Sequence, residues 1–394
     1  MTSEEVELLR ELTIVIPTCN RPLELERAIE YWRDTPVTVH ILDGSEKSWF
    51  PVGVLPGASN ITYHHHPPTV GEDVLKNYSR RISLAAGLPV TAVSALCADD
   101  DFFSISGLKL AISAILNSRE IDSVVGICAE YKYCDSDLVW NLRYTGWREG
   151  LRSRSSDVAE RALDQSGAFY LYYALMRSEI WRSVLSQTHK FVYSHTYPQE
   201  HLFNSIAIAH CKVNVLRHVI WAKKVWELNP SVPGQASRVR DADWFRDRKN
   251  RKEVKLITNH MATGIQSAIE KHGSSMSAKV IAGKYIARIA KFSNTAKFRK
   301  YNKRIVQKVM SKLHFLPDSL KSSFNLFLPS RIREITGSVP QDPIKHLTKN
   351  NFFVLTSLFA ELSETDIGFA EKDFTIIEKL LLKPREELRL RADI

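Results

Sequence analysis

The sequence predicts an α/β domain with a largely parallel sheet, followed by a basic segment built mainly of helices. Three observations predict this fold class: strand-like and helix-like segments alternate through the first half, polar residues follow three of the predicted strands, and cationic residues are concentrated after Arg246. The chain has 394 residues, more than one compact core usually contains, so we expect two domains.

The first half alternates between strand and helix periodicity. Short β-branched runs indicate strands, and apolar residues spaced by three and four positions indicate helices. In chain order, the predicted elements are the strand LTIVIPT (12–18), the helix RPLELERAIEYW (21–32), the strand and turn VTVHILDGS (37–45), the strand ITYHHHP (61–67), the helix GEDVLKNYSRRISLAAG (71–87), the Val90–Ala98 strand, a helix over Ser106–Asn117 and the strand SVVGICAEY (123–131). Asn20 can cap the first helix, whose first turn contains a proline. Regular alternation of this kind favours a parallel sheet.

The second half begins with the same elements and then changes in composition. The predicted elements are the strand AFYLYYALM (168–176), the helix PQEHLFNSIAIAH (198–210) and two short strands, KVNVL (212–216) and VIWAKKVW (219–226). The stretch Asn229–Arg238, which contains proline, glycine and serine, marks a domain boundary. We therefore predict one domain over residues 1–230 and a basic, mainly helical domain over residues 231–394.

Charge and cysteine content limit the class of protein. The net charge is +10, and residues 246–312 alone contain 18 Lys or Arg against three acidic residues. This segment predicts an anionic partner: membrane headgroups, a phosphorylated lipid or polysaccharide, or nucleic acid.

The five cysteines form no CxxC pair, the N-terminus is acidic and polar, and no apolar run reaches the roughly 18 residues that cross a bilayer. These features favour a cytoplasmic protein.

Polar residues follow three predicted strands: PTCNR ends the first, DGS the second, and ADDD the Val90 strand. Ligands of open parallel sheets bind beyond the carboxyl ends of the strands, so we expect these residues to meet at one rim. Three adjacent aspartates repel one another, and a divalent cation held by an Asp-x-Asp pair would offset this repulsion. Capping of the next helix explains one aspartate but not three, so we favour a Mn²⁺ or Mg²⁺ site.

These motifs resemble those of a known enzyme family. TIVIPTCNRPLELERAIEYW, ILDGS and ADDDFF, in this order, are similar to the nucleotide-sugar-dependent glycosyltransferases of the GT-A fold, family two. Within the family, the resemblance is to bacterial enzymes whose metal motif is a run of aspartates followed by Phe. It extends over residues 13–226, and the single acid in the second strand departs from the two acids of many relatives.

The resemblance implies roles for individual residues. It places Pro17, Thr18, Asn20 and Arg21 in a loop that lines the nucleotide pocket, and Asp43 with Ser45 beside the base or ribose. It implies that Asp99 and Asp101 hold the metal, with Asp101 the direct ligand, and that Asp100 faces the donor sugar or the metal waters. From their spacing on a predicted helix, Lys76 and Arg80 could meet the donor diphosphate or form a solvated face.

The resemblance also implies an acid that removes a proton from the acceptor hydroxyl. In the family this acid lies at the start of a helix after the metal motif, and TYPQEHLFNSIA supplies Glu200 there. The alternative is that Glu200 is a first-turn acid that only stabilises the helix N-terminus. Its neighbour His201 could act near the phosphates or be structural.

Other side chains have weaker signals. His64 and His66 share a strand face, but without a recognisable third ligand we interpret them as a polar strand end. The tyrosines Tyr170, Tyr172 and Tyr173 are interpreted as core residues. Trp140 and Trp147 are candidates for an acceptor platform.

The hypothesis that this resemblance favours is a bacterial-type glycosyltransferase that inverts the anomeric centre and extends a surface polysaccharide such as a capsule, lipopolysaccharide or teichoic-type chain. We expect a UDP-linked donor, an anionic glycan or lipid-linked acceptor, and contact of the basic helices with the acceptor or the inner membrane surface. The rival is a non-catalytic scaffold that binds nucleic acid or membrane through the basic helices. Because that segment has few aromatic residues and no recognised nucleic-acid motif, no nucleic-acid partner is expected.

Overall fold

A single mixed sheet forms the centre of the protein. The computed structural model describes residues 2–134, 137–143, 154–164, 171–189, 191–224, 241–292 and 371–383. The strands are β1 (Leu12–Thr18), β2 (Thr38–Asp43), β3 (Gly53–Leu55), β4 (Ala58–His65), β5 (Val93–Leu96), β6 (Phe102–Phe103), β7 (Ser123–Cys134), β8 (Asp137–Arg143), β9 (Leu175–Arg177) and β10 (Val213–Lys224).

Helices surround this sheet. They are α1 (Ser3–Arg10), α2 (Pro22–Trp32), α3 (Val74–Ala85), α4 (Ile105–Leu116), α5 (Val158–Asp164), α6 (Ser178–Thr188), α7 (Thr196–His210), α8 (Asp241–Arg246), α9 (Arg251–His272), α10 (Ala278–Phe292) and α11 (Glu371–Leu382). The predicted α/β class with a helical C-terminal region is confirmed. Within the described part of the chain, no helix is both long and apolar enough to span a membrane.

The sheet order is β3-β4-β2-β1-β5-β9-β7-β10-β6, and β8 pairs with the C-terminal part of β7. Strands β4, β2, β1 and β5 are mutually parallel, as are β7 and β10, whereas β3, β6, β8 and β9 pair antiparallel with their neighbours. The carboxyl ends of β1, β2 and β5 therefore lie at the same edge of the sheet.

The core is divided by the sheet into two faces. Along β1, Ile14 and Ile16 pack on the side of α2 and α4, whereas Val15 packs on the side of α6, α7, α9 and α10. This alternation follows from the two-residue period of a strand. Because β1 is buried on both faces, its three central residues, Ile14–Ile16, are all apolar, as is typical of a central parallel strand.

Helices from beyond the predicted domain boundary join these two cores. On α9, Gly264 lies so close to α7 that a Cβ atom would come within 2.3 Å of Ile206 Cδ1. On α11, Phe374, Ile377, Leu380 and Leu381 are buried in the core that contains α2 and α4. Burial of each such side chain contributes about 1.5–3 kcal/mol. The boundary at Asn229–Arg238 lies outside the described residues, so the division at residue 230 stays a prediction.

Three local predictions are corrected by the structure. Asn20 does not lie at the N-cap of α2: Arg21 does, and Asn20 adopts a left-handed backbone conformation with φ 56°. Within AFYLYYALM, Leu171–Tyr173 form a 3₁₀ turn, and strand β9 begins only at Leu175. The two short strands predicted after α7 are one strand, β10, because irregular register between Val215 and Trp221 lets it continue.

Candidate active site

The three polar stretches that follow β1, β2 and β5 meet at one rim of the sheet, as the sequence predicts. Thr18 Oγ1 donates a hydrogen bond to Asp99 Oδ2 at 2.7 Å, which joins the first stretch to the third. The backbone N–H of Asn20 donates to Ser45 Oγ at 2.8 Å, which joins the first stretch to the second. Pro17 lies in β1 immediately before Thr18, and its backbone is paired with Leu42 of β2. We call the group Thr18, Arg21 and Asp99–Asp101 the aspartate rim.

Arg21 offsets much of the repulsion among the aspartates. Its guanidinium donates from Nη1 to Asp99 Oδ1 and from Nη2 to Asp100 Oδ2, the second bond at 2.6 Å. Asp99 and Asp100 are 2% and 6% exposed. Burial opposes the charged form of Arg21, but the two carboxylates outweigh it and raise the pKa of Arg21. A planar guanidinium is suited to such a two-point contact.

Asp101 has a different environment from its two neighbours. Its Oδ2 accepts a hydrogen bond from Trp221 Nε1 at 3.1 Å, and its Oδ1 accepts one from the backbone N–H of Lys224 at 3.0 Å. Lys223 Nζ lies 5.1 Å from the centroid of the Trp221 ring. Asp101 is therefore held by Trp221 and Lys224 of β10.

Both outer carboxyls are buried, and burial raises their pKa values. The pKa of Asp101 is raised, mainly by burial and further by the charge of Asp100, with Lys223 acting in the opposite direction. Burial also raises the pKa of Asp99, against the lowering effect of the Arg21 charge. Carboxylates in this situation gain stability from any additional cation bound between them.

The aspartate rim can hold a divalent cation only if groups outside the rim supply some of its ligands. Within the described ranges, no three His, Cys, Asp or Glu side chains converge in an arrangement that could hold a metal ion. However, each carboxylate oxygen has a second lone pair beyond the hydrogen bond it accepts, and Mg²⁺ often takes one or two carboxylates with waters and substrate phosphates. The residues present therefore fit a cation that a bound diphosphate would help to coordinate.

Asp43 and Ser45 are buried beside the rim. Asp43 Oδ1 accepts hydrogen bonds from Ser45 N at 2.8 Å and Ser45 Oγ at 2.6 Å, and its Oδ2 accepts one from the hydroxyl of Tyr63. Ser45 Oγ also accepts from Trp49 Nε1 at 3.2 Å, and the Trp49 side chain is 44% exposed. Asp43 therefore organises the loop that presents Trp49 at the surface.

Arg81 holds the same loop through hydrogen bonds to backbone carbonyl oxygens. This residue was not predicted from the sequence. It is 2% exposed, and its Nη1 donates to the carbonyl oxygens of Thr18 at 2.8 Å and Leu42 at 2.6 Å. A Cβ atom on Gly44 would lie 2.4 Å from Arg81 Nε, so this position of the loop requires glycine. Arg81 thus ties together the ends of β1 and β2.

Lys76 and Arg80 of α3 pair with acids close to them in sequence. Lys76 Nζ lies 3.7 Å from Asp73, and the Lys76 side chain is 54% exposed. Arg80 contacts both carboxylate oxygens of Glu72 at 2.9 Å. The contacts described for this helix bring neither cation to the aspartates, and their role in diphosphate binding stays a prediction.

Glu200 lies in a cleft next to the rim. The cleft has a volume of about 50 Å³ and is lined by Leu75, Tyr78, Ser79, Tyr172, Tyr193, His195, Thr196, Gln199 and Glu200. Helix α7 begins at Thr196 and has no acid in its first turn, so Glu200 lies just beyond it. Because the effect of the helix dipole declines within the first turn, stabilisation of the helix N-terminus does not account well for this residue.

Tyr78 connects the cleft to the aspartate rim. Its hydroxyl lies 2.5 Å from that of Tyr172. Burial raises the pKa of Tyr78 to about 12, and the negative charges of Glu200 and Asp99 both add to this shift. Tyr78 lines the cleft together with Glu200, and Arg81, which binds the carbonyl oxygen of Thr18 in the rim, lies 5.8 Å from the Tyr78 ring centroid. Tyr78 was not predicted from the sequence because its partners are distant along the chain.

The remaining candidates either pack against neighbouring aromatic or histidine rings or lie outside the described residues. His201 packs edge-on against Phe245 and Tyr285, and His64 lies 3.1 Å from His40 between their ring nitrogens. Burial, with the neighbouring histidines, lowers the pKa of His64 to about 4. The rings of His64 and His66 are stacked with their centroids 6.2 Å apart. Tyr170, Trp147 and the side chain of Trp140 lie outside the described part of the chain.

Comparisons with known proteins give only distant similarities. No family model matches the chain, and no curated protein matches it. Among solved structures, S. aureus TarS 1–349 is similar with 10% identity and a TM-score of 0.41 over 76% of this chain and 79% of that chain. The same fragment in complex with UDP-GlcNAc gives 10% identity and a TM-score of 0.41 over 89% and 88% of the two chains.

A longer structure of S. aureus TarS gives 10% identity and a TM-score of 0.44 over 89% of this chain. The matched region spans about half of that structure, 53% of its length. With TM-scores below 0.5, none of these similarities assigns an activity to this chain.

Proposed function

We propose that this chain is a glycosyltransferase of the GT-A type that moves a sugar from a nucleoside-diphosphate donor to a hydroxyl group of a glycan acceptor. The observation that carries the proposal is the aspartate rim at the carboxyl ends of β1 and β5, with Glu200 in the adjoining cleft and Tyr78 near both. Crevices at this position of an α/β sheet are where ligands bind. The rim suits an anionic diphosphate with its cation, and the cleft suits proton removal.

The donor nucleotide would bind along the ends of β1 and β2. Thr18, Asn20 and Arg21 lie at the end of β1, while buried Asp43 and Ser45 hold the loop that presents Trp49. The exposed indole of Trp49 can stack on a nucleobase. Asp99 and Asp101 would hold Mn²⁺ or Mg²⁺, which when bound offsets the charge on the departing diphosphate, and Asp100 would face the donor sugar.

Glu200 would act on the acceptor. A carboxylate in the cleft can accept the proton of a sugar hydroxyl as that oxygen attacks the anomeric carbon of the donor. A single displacement of this kind inverts the anomeric centre. The acceptor class we propose is the glycan or lipid-linked glycan of a surface polysaccharide, such as a capsule, lipopolysaccharide or teichoic-type chain.

The test of the donor site is calorimetric binding of UDP, GDP, CDP and CMP, each with Mn²⁺ and again with EDTA. We expect one of the diphosphates, UDP before the others, to bind only when the metal is present. The affinity for that diphosphate should fall at least about tenfold in Asp101→Asn. The matched control is Asp34→Asn at an exposed position of the same domain, which should leave the affinity unchanged. Absence of nucleotide binding in folded wild-type protein would overturn the proposed function.

The basic helices would bind the anionic part of the acceptor. Ten Lys or Arg residues between Arg246 and Arg288 are exposed, on α8, α9, α10 and the turns between them: Arg246, Arg248, Lys249, Arg251, Lys252, Lys255, Lys271, Lys279, Lys284 and Arg288. Three of them lie on α10, which has no acidic residue. This concentration of positive charge attracts polyanions over a range set by the ionic strength.

We expect binding of a phosphate-containing polysaccharide to weaken as salt rises and to weaken further in the double variant Lys279→Glu, Lys284→Glu. Binding of UDP should stay unchanged in that variant, because Lys279 and Lys284 are exposed residues of α10, which packs on α8 and α9. Vesicles with anionic lipid and a DNA duplex serve as the comparison probes. Stronger salt-dependent binding to DNA, together with loss of the nucleotide signal, would favour the scaffold alternative.

A further inference from the structure

Helix α11 is attached to the N-terminus of α4 by one buried carboxylate. Asp373 is 3% exposed. Its Oδ2 accepts three hydrogen bonds: from Ser104 Oγ at 2.7 Å, from Ser106 N at 2.7 Å and from Ser106 Oγ at 2.6 Å. Ser104 is the N-cap of α4 and also caps Gly107 N at 3.1 Å. A negative charge at this position is favourable because it complements the dipole of α4.

The same helix also packs against α2. Its buried residues Phe374, Ile377, Leu380 and Leu381 belong to the core that contains α2, and Lys383 Nζ lies 3.5 Å from Glu30 of α2. Helix α11 therefore connects α2 and α4, two helices between which the chain forms strands β2 to β6 and helix α3.

These two helices lead directly to the aspartate rim. Helix α2 begins one residue after Arg21, and Ser104 lies three residues after Asp101. The hydroxyl of Tyr31 on α2 donates a hydrogen bond to the carbonyl oxygen of Phe103 at 2.6 Å. Because Phe103 directly precedes Ser104, α2 and the start of α4 also meet next to Asp373. Leu381 lines a small cavity together with Asp99 and Asp100. A displacement of α11 would therefore reach both the guanidinium and the carboxylates of the rim.

We propose that Asp373 is a positioning residue for the donor site: through it, α11 holds α2 and α4 at the separation at which Arg21 and Asp99–Asp101 bind a nucleoside diphosphate. The functional part of this inference rests on the proposed function. The mechanical part, that α11 fixes the rim, stands on the contacts of Asp373 and Leu381 alone.

The experiment compares Asp373→Ala with Asp373→Asn in the full chain. The Ala variant removes all three hydrogen bonds, whereas the Asn variant keeps an acceptor oxygen. We expect UDP binding in the presence of Mn²⁺ to weaken about tenfold in Asp373→Ala and to be largely restored in Asp373→Asn. Hydrogen exchange should become faster in residues 97–106 of the Ala variant and stay slow in residues 257–268. Ser106→Ala, which removes only one donor, is the milder variant if Asp373→Ala does not fold.

The matched control is Ile265→Ala on α9, in the opposite core. It should lower the free energy of unfolding without weakening UDP binding. Unchanged UDP affinity in Asp373→Ala, or an equal loss in Ile265→Ala, would overturn the positioning role. If the wild-type protein binds no nucleotide, the proposed function fails, and the exchange rates of residues 97–106 still decide whether Asp373 fixes the rim.

Discussion

Glu200→Gln is expected to lower the rate of sugar transfer by about 10²–10⁴-fold, the usual contribution of a general base. Glutamine has nearly the same shape as glutamate and can occupy the cleft beside Tyr78 and Gln199, but it cannot accept the acceptor proton. Because Glu200 lies in the cleft and not among the aspartates, nucleotide binding should change little. The measurement is UDP release in steady state, together with calorimetric UDP binding.

The control for this prediction is Glu179→Gln. Glu179 is an exposed acid in the first turn of α6, where a helix-stabilising role is its plain interpretation. It should leave the transfer rate unchanged. Equal rates for Glu200→Gln and the wild-type enzyme would exclude Glu200 as the base and return it to a structural role.

Arg21→Met is expected to lower the free energy of unfolding by about 3–5 kcal/mol, the range for removing one partner of a buried ion pair. Methionine replaces part of the aliphatic stem but leaves Asp99 and Asp100 without the cation that both contact. Two buried carboxylates would then face each other in a poorly solvated site. Denaturant unfolding in EDTA measures the loss.

Arg10→Met provides the comparison at the surface. Arg10 pairs with Glu7, and the two side chains are 60% and 63% exposed. Such pairs contribute about 0–1 kcal/mol, so this variant should be nearly as stable as the wild type. Added Mn²⁺ should restore part of the stability of Arg21→Met, since a divalent cation can neutralise the same carboxylates. A loss for Arg21→Met no larger than that for Arg10→Met would contradict the role assigned to Arg21.

The sequence predicted those parts of the fold that depend on local patterns. Strand β1 and helix α4 were found at almost their observed bounds, because a β-branched run and a helical apolar period are local signals. The meeting of the polar strand ends at one rim was also predicted, since parallel strands place their carboxyl ends together. These are consequences of short stretches of sequence combined with one rule of topology.

The contacts that complete the site could not be predicted in this way. Arg21 pairs with Asp99 across 78 positions of sequence, and Asp373 bonds to Ser104 across 269. Tyr78 and Tyr172 are 94 positions apart. No periodicity in one sequence specifies such partners. The continuity of β10 was missed for a related reason, because its irregular register depends on the pairing with β7 and not on its own residues.

The attachment of α11 has a consequence for the order of events during synthesis of the protein. Chains are made from the N-terminus, and segments fold as they emerge. The sheet and α4 are complete long before residues 371–383 have been made, yet the core between α2 and α4 is finished only when Phe374, Ile377, Leu380 and Leu381 enter it. A nascent chain therefore exposes this apolar surface until residues 371–383 have emerged from the ribosome, and we expect chaperones to bind it during that time.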